Sequence, residues 1–238
     1  MKKRRLSKVN VLTILVLLLL VPGTLLLFWY LGWRRYYISS ILFIFYAMVP
    51  FFVSFEKRKP AAREVVSIAV MCAIAVASRA AFIMVPHFKP MAGIIMITGI
   101  AFGAEAGFLT GAISSFVSNF IFGQGTWTPW QMFAYGIAGF LAGLMGRLGF
   151  LKGEKPLPTA IFGAVVIVVC VGPILDTSTL FTVSSSINMA SAGALYLSGI
   201  PVNLVHAAAT FLTILLLGKP IHEKLERIKI KYGMMNEE

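Results

Sequence analysis

The amino-acid sequence predicts an all-α integral membrane protein, and composition, charge placement and the length of apolar runs each support this fold class. Hydrophobic residues form 58% of the 238-residue chain and charged residues 13%, with a mean hydropathy of +0.87. Soluble domains are about 45–50% apolar and about 25% charged. The basic residues form short clusters between runs long enough for bilayer-spanning helices, which need about 20 residues each. Lipid is therefore the expected surroundings of the chain.

Eight apolar spans are expected in chain order. The first follows the basic segment 1–10 and exceeds the ~7–15 residues of a signal-peptide core, so we predict a retained helix. The stretch 91–122 is too long for one crossing of a ~30 Å hydrocarbon core, and the glycines of 103–107 predict a break into two short helices. The spans lie at about 11–31, 37–55 and 62–84, on either side of that break, and at about 128–148, 158–175 and 198–217.

The distribution of basic residues predicts the orientation of these spans. If both termini are cytoplasmic, the inner segments hold 17 of the 21 Lys and Arg residues, in agreement with the positive-inside rule. Residues 1–60 are predicted to form an accessory transmembrane hairpin with a basic linker. Residues 61–218, rich in Gly, Ala, Ser and Thr, are predicted to form a six-helix functional core. Residues 219–238 are predicted to form a basic cytoplasmic tail.

Motif content and charge distribution exclude several function classes. The net charge of +12 lies in juxtamembrane clusters and not on an aromatic and basic face, so no nucleic-acid partner is predicted. The sequence holds no zinc-protease, nucleophile-elbow or phosphate-loop motif, so we predict no enzyme activity, no cofactor and no metal site. Cys72 and Cys170 both lie inside apolar runs and are predicted to be packing residues. Paired acidic residues for ion coupling are missing from the spans, which disfavours an autonomous transporter.

Three segments predicted to face the outer side carry candidate ligand-binding residues. The first, 86–90, is a proline-bounded turn. The second, 119–131, combines amides, tryptophans and glycines, which suits a concave site for a large and weakly charged molecule. Its tryptophans are equally well explained as interfacial anchors. The third, 176–194, is polar and long for a loop, and is either a binding lid or a disordered tether.

Polar residues inside the spans are further candidates. The charge of Arg79 needs a carboxylate, a carbonyl cluster or a wet cavity, and structural pairing and ligand contact both remain open. Asn203 and His206 are spaced i, i+3 and share a helix face, which is predicted to point inward because lipid cannot satisfy polar groups.

Small residues recur every fourth position on the third span. Such a stripe lets another helix approach closely, and that helix can belong to the same chain or to a partner. The residues are Ala69, Ala73 and Ala77.

Five segments carry a family resemblance: ASRAAF at 77–82, HFKP at 87–90, GAEAGF at 103–108, SNFIFGQGTWTPWQM at 118–132 and LGKP at 217–220. They resemble the substrate-binding S components of bacterial energy-coupling factor (ECF) vitamin transporters, especially a group assigned to cobalamin or related corrinoids. The resemblance covers about 61–231, and an N-terminal hairpin also occurs in some relatives.

The resemblance implies a six-helix core that holds a vitamin near the outer face, closed by the external segments described above. It also implies that the alanine stripe docks on a membrane coupling (T) protein driven by two cytosolic ATPases, in the bacterial plasma membrane. The predicted substrate-binding residues are Arg79, Phe88, Lys89, Asn119, Gln124, Trp127, Trp130, Gln131, Asp176, Asn203 and His206.

Cobalamin is the first ligand expected from the resemblance. The alternatives are an S component for another vitamin or a modified nucleobase, a membrane scaffold protein without a transport role, and a solitary transporter.

Overall fold

A computed structural model describes residues 36–57, 60–183 and 188–234, and the regular structure of this part of the chain is entirely α-helical apart from one π-turn. The all-α prediction is thus confirmed for the described residues. The predicted span 11–31, the first helix of the hairpin, lies outside them. The described helices are α1 (Tyr36–Lys57), α2 (Ala62–Ala81), α3 (Met91–Phe102), α4 (Ala104–Phe122), α5 (Thr128–Arg147), α6 (Pro156–Val183) and α7 (Met189–Tyr232).

Three of these helices, α2, α6 and α7, are long and apolar enough to cross a membrane by length and composition. Large apolar side chains on them point away from the protein, among them Val66, Val169 and Leu216, as expected of lipid-facing positions. The total of eight crossings and the cytoplasmic placement of both termini stay predictions.

The break within 91–122 is confirmed, and it consists of one residue. Gly103 ends α3 and begins α4 with φ of +95°, a conformation that costs glycine little and other residues more. α3 is short and apolar on all sides, and eleven of its twelve residues are buried, so it is the central helix of the bundle. α4 has 19 residues, longer than the short helix predicted, because the glycine-rich segment 104–107 is itself helical.

Helices α3, α4 and α5 approach one another at the level of the backbone. A Cβ atom added to Gly99 would lie 2.2 Å from the carbonyl oxygen of Gly139, and one added to Gly139 would lie 2.2 Å from that of Gly107. Glycine at these positions lets helices meet without intervening side chains, as expected for membrane proteins. This three-helix contact supports the rest of the core.

The segment predicted as a polar loop, 176–194, is mostly helical, so that prediction was wrong. Asp176 to Val183 completes α6, and α7 begins at Met189, where Asn188 and Ser191 form a reciprocal capping box. The Ser/Thr-rich sequence stays helical because hydroxyl groups donate to carbonyl oxygens one turn earlier, as Thr177 does to Pro173 at 2.7 Å. α6 also contains a π-turn at Ile167–Val171.

α7 has 44 residues and continues well into the predicted tail. At about 1.5 Å per residue it is longer than the bilayer core is thick. Near its end, Lys229 Nζ donates to the carbonyl oxygen of Ala101 at 3.2 Å, and the buried Met234 contacts the hydroxyl of Ser67 through sulfur at 3.7 Å. α7 therefore also contacts the ends of α3 and α2 that lie opposite the site described below.

Candidate functional site

A cleft of about 340 Å³ opens at one end of the helix bundle. Polar and ionisable side chains predominate in its wall, in contrast to the apolar core below it. The lining residues are His87, Lys89, Trp127, Gln131, Leu175, Asp176, Ser178, Thr179, Val202, Asn203 and His206.

Four parts of the chain meet at this cleft. The connection after α2 contributes His87 and Lys89, and the start of α5 contributes Trp127 and Gln131. The turn before α3 is tight, because His87 has φ of +62°, in the left-handed region that non-glycine residues seldom adopt. The last turns of α6 and the first half of α7 complete the wall.

One side of the cleft is organised by an amide and a carboxylate. Asn203 Nδ2 donates to Asp176 Oδ2 at 2.9 Å, joining α7 to α6. Both side chains occupy space left by glycines: a Cβ added to Gly172 would lie 2.5 Å from the Asn203 amide, and one added to Gly199 would lie 2.6 Å from the Asp176 carboxylate. The pair is therefore held in place by packing as well as by the hydrogen bond.

The opposite side rests on a buried hydrogen-bond network. Arg79 Nη1 donates to Ser118 and, at 3.0 Å, to Asn119 Oδ1. Asn119 Nδ2 in turn donates to Thr128 Oγ1 at 3.0 Å and to Gln131 Oε1 at 2.9 Å. The guanidinium group also lies over an aromatic ring, with its carbon 4.2 Å from the centroid of the Phe122 ring. Arg79 is thus connected to the cleft through two intermediate amides.

Lys89 brings a positive charge to the same cleft from the connection outside the helices. Burial lowers the pKa of Lys89 to about 8, and the charge of Arg79 lowers it further in the same direction. His206 is buried nearby, with Nε2 3.5 Å from the hydroxyl of Tyr135. Ser178 is also buried, and no described residue forms a hydrogen bond with its Oγ atom. The cleft thus holds polar groups without a protein partner.

The structure brings together six of the eleven residues predicted to bind substrate. Arg79 and Asn119 lie behind the cleft wall, in the network just described. The six that line the cleft are Lys89, Trp127, Gln131, Asp176, Asn203 and His206.

The other three predicted residues lie elsewhere. Phe88 packs on Phe82, with ring centroids 4.9 Å apart. Trp130 is buried in a second apolar cluster between α1, α4 and α5, 5.9 Å from the Phe181 ring. Gln124 is exposed and lines a separate groove on the α1 side of α5. None of the three is among the cleft-lining residues.

Sequence reasoning missed five cleft residues: His87, Leu175, Ser178, Thr179 and Val202. His87 and the hydroxyl residues lie in segments that were identified as candidates, and their neighbours were chosen instead. The apolar pair carries no signal that distinguishes it from lipid-facing residues.

The alanine stripe is exposed on the surface of α2, flanked by the exposed Val66 and Val70. No other described helix covers it. The stripe comprises Ala69, Ala73 and Ala77.

Comparison with known proteins places these features in a family. Residues 59–223 match a family model described as "ECF-type riboflavin transporter, S component", which spans the cleft and the alanine stripe. No solved structure matches the chain. The resemblance to S components is therefore supported, whereas the more specific cobalamin-type resemblance is not.

Proposed function

Because the chain belongs to the family of ECF-type riboflavin transporter S components, which are multi-pass membrane proteins, we propose that it captures a vitamin of flavin size in the cleft between α2, α5, α6 and α7. As a transport subunit it is not expected to catalyse a reaction. The proposal rests on one observation above all: residues from all four elements converge on one polar cleft with an aromatic side chain in its wall.

The size of the cleft favours riboflavin over cobalamin. Ligand pockets usually measure about 300–1,000 Å³, and this cleft of about 340 Å³ is near the lower limit. A corrin macrocycle with its nucleotide loop is several times larger than an isoalloxazine ring with a ribityl chain. Trp127 gives a flat ring system a surface for stacking, and the amides offer hydrogen bonds to its polar edge.

Transport requires partners on this proposal. The chain lacks a phosphate-binding loop, so ATP hydrolysis is assigned to two cytosolic ATPases acting through a membrane coupling protein. The exposed alanine stripe on α2 is the proposed docking face, since small residues let a partner helix approach closely in lipid.

Ligand binding tests the first part. Protein purified in detergent is titrated with riboflavin, cobalamin and a panel of other vitamins by calorimetry, without ATP or sodium, and native mass spectrometry identifies any ligand carried through purification. We expect saturable riboflavin binding that quenches flavin fluorescence. Binding of cobalamin alone would contradict the size argument, and no binding across the panel would favour a scaffold role.

Coupling tests the second part. Ala73→Leu places a bulky side chain on the stripe and should abolish uptake and co-purification of the coupling protein while leaving vitamin affinity unchanged. Val165→Leu, an enlargement at an exposed position of α6, serves as the matched control and should leave both unchanged. Loss of vitamin binding together with uptake in Ala73→Leu would indicate a packing role within the chain. Uptake that persists in cells without the ATPases would indicate a solitary transporter.

A further inference from the structure

The network behind the cleft restricts which atom each amide can present to a ligand. An arginine side chain carries only hydrogen-bond donors, so the atom of Asn119 that faces Arg79 must be the oxygen. This requirement holds regardless of how the nitrogen and oxygen atoms are assigned in coordinates. The Asn119 nitrogen then points away from Arg79, toward Thr128 and Gln131.

The same reasoning passes from Asn119 to Gln131. A donor nitrogen faces the Gln131 amide at 2.9 Å, so the Gln131 atom at that contact must be the oxygen. Its nitrogen, with two N–H donors, has no hydrogen-bond partner among the described residues and belongs to a side chain that lines the cleft. Gln131 therefore presents a donor.

Thr128 strengthens this arrangement. Its hydroxyl donates to Gln124 Oε1 at 2.9 Å and accepts from the backbone N–H of Gly125 at 3.2 Å, so its remaining acceptor position is matched to the Asn119 nitrogen. A reversed Asn119 would bring its nitrogen against the guanidinium group and its oxygen against the Gln131 oxygen, two repulsive contacts. Buried networks of this kind are costly to leave partly satisfied.

The opposite side of the cleft is fixed with the reverse polarity. The carboxylate of Asp176 accepts from the nitrogen of Asn203, which leaves Oδ1 as the atom that the Asn203 amide can offer to a ligand. The cleft therefore presents an amide donor from α5 and an amide acceptor from α7.

We propose that Arg79 is a positioning residue that holds the Gln131 NH₂ group toward the cleft through Asn119, so that the site selects ligands with a carbonyl-type acceptor at that position. A heterocyclic amide or imide, which carries an acceptor beside an N–H donor, matches both sides. For the identity of the ligand this inference rests on the function proposed above. The polarity of Gln131 does not depend on it.

The first experiment needs no ligand. Gln124 and Gln131 are the two glutamines in the chain, so ¹⁵N-glutamine labelling gives two side-chain amide signals by NMR in detergent. The Gln124 nitrogen donates to the carbonyl oxygen of Phe116 at 3.0 Å and serves as the internal reference. In the wild-type protein the Gln131 NH₂ protons should exchange rapidly with water, since no described residue accepts from them. A Gln131 signal already protected from exchange would overturn the proposal.

Two substitutions of Arg79 separate positioning from packing. Arg79→Met removes the donor, which lets Asn119 reverse and accept from Gln131, so the Gln131 protons should become protected. Arg79→Lys keeps a donor-only side chain and should restore rapid exchange. Equal spectra for both variants, with both proteins monodisperse in size-exclusion chromatography, would contradict a positioning role.

Riboflavin is the probe for the second experiment. Gln131→Met should weaken binding about tenfold through loss of one hydrogen bond, and Gln131→Glu should weaken it further, because a carboxylate would face the ligand acceptor. Wild-type affinity in Gln131→Glu would mean that the residue presents an acceptor, and the proposal would be wrong. If neither riboflavin nor any other vitamin binds, the proposed function fails, and the NMR experiment alone decides the polarity of Gln131.

Discussion

The backbone contact among α3, α4 and α5 predicts that one methyl group on α5 is strongly destabilising at one position and harmless two turns further on. In Gly139→Ala the new Cβ would lie 2.2 Å from the carbonyl oxygen of Gly107, 2.6 Å from its carbonyl carbon and 2.8 Å from Ile95 Cγ2. The first two atoms belong to the backbone of a packed helix and cannot turn aside as a side chain can. The contact is roughly 1 Å too short for van der Waals packing, so α4 and α5 must separate.

The expected magnitude follows from this separation. Overpacking in a close-packed interior costs about 1–3 kcal/mol. Gly146→Ala is the matched control on the same helix: its Cβ would lie 3.4 Å from the nearest atoms of Ile100, which is ordinary contact. Alanine is favoured over glycine in a helix interior by about 0.8–1.0 kcal/mol. The control should therefore be neutral or slightly stabilising, and the two variants should differ by about 2–4 kcal/mol.

Thermal unfolding in detergent, followed by intrinsic fluorescence, measures this difference. One kcal/mol corresponds to about 2–4 °C in Tm for a chain of this size. Gly139→Ala should unfold below the wild type and Gly146→Ala at or above it. A Tm of Gly139→Ala equal to that of the control would refute the close backbone contact.

Three further predictions concern the cleft. Trp127→Ala should lower riboflavin affinity about tenfold with little change in Tm, whereas Trp130→Ala should cost about 3–5 kcal/mol of stability, because that side chain is buried; the reverse pattern would exchange their roles. Gly199→Ala should lower affinity by displacing the carboxylate 2.6 Å away, and Gly193→Ala, with nothing within 4 Å, should not; equal affinities would argue against a fixed carboxylate. Lys89 has a pKa of about 8, below the ordinary value of 10.5, so the unfolded chain binds more protons between these values and the stability of the ligand-free protein should rise with pH across that window. Riboflavin affinity should fall above pH 8 as the charge is lost, and a pH profile unchanged in Lys89→Met would exclude this lysine.

The sequence predicts some of this architecture well, for physical reasons that particular residues illustrate. The break at Gly103 follows from a simple limit, since no apolar helix as long as 91–122 fits a bilayer core. Lipid cannot satisfy the polar groups of Asn203 and His206, and the structure indeed turns both toward the cleft.

Other features depend on rotation about a helix axis, which sequence alone does not fix. Trp127 and Trp130 are three residues apart and chemically alike, yet one lines the cleft and the other is buried against Phe181. The hydroxyl-rich end of α6 was mistaken for a loop because Ser and Thr also favour turns. Back-bonding to the preceding turn, as in Thr177 and Thr182, is visible only once the helix exists.

The π-turn in α6 makes the polar wall of the cleft sensitive to chain length. A π-turn accommodates one residue more than a regular helical turn, so deleting a residue there would rotate everything beyond it by roughly 100° relative to the first half of the helix. Val169 is exposed and lies inside this turn, and Asp176 and Ser178 follow it. A one-codon deletion could thus preserve the apolar character of α6 and still turn its polar groups away from the ligand. Families that keep or lose this extra residue would then differ in what they bind while sharing nearly the same hydropathy profile.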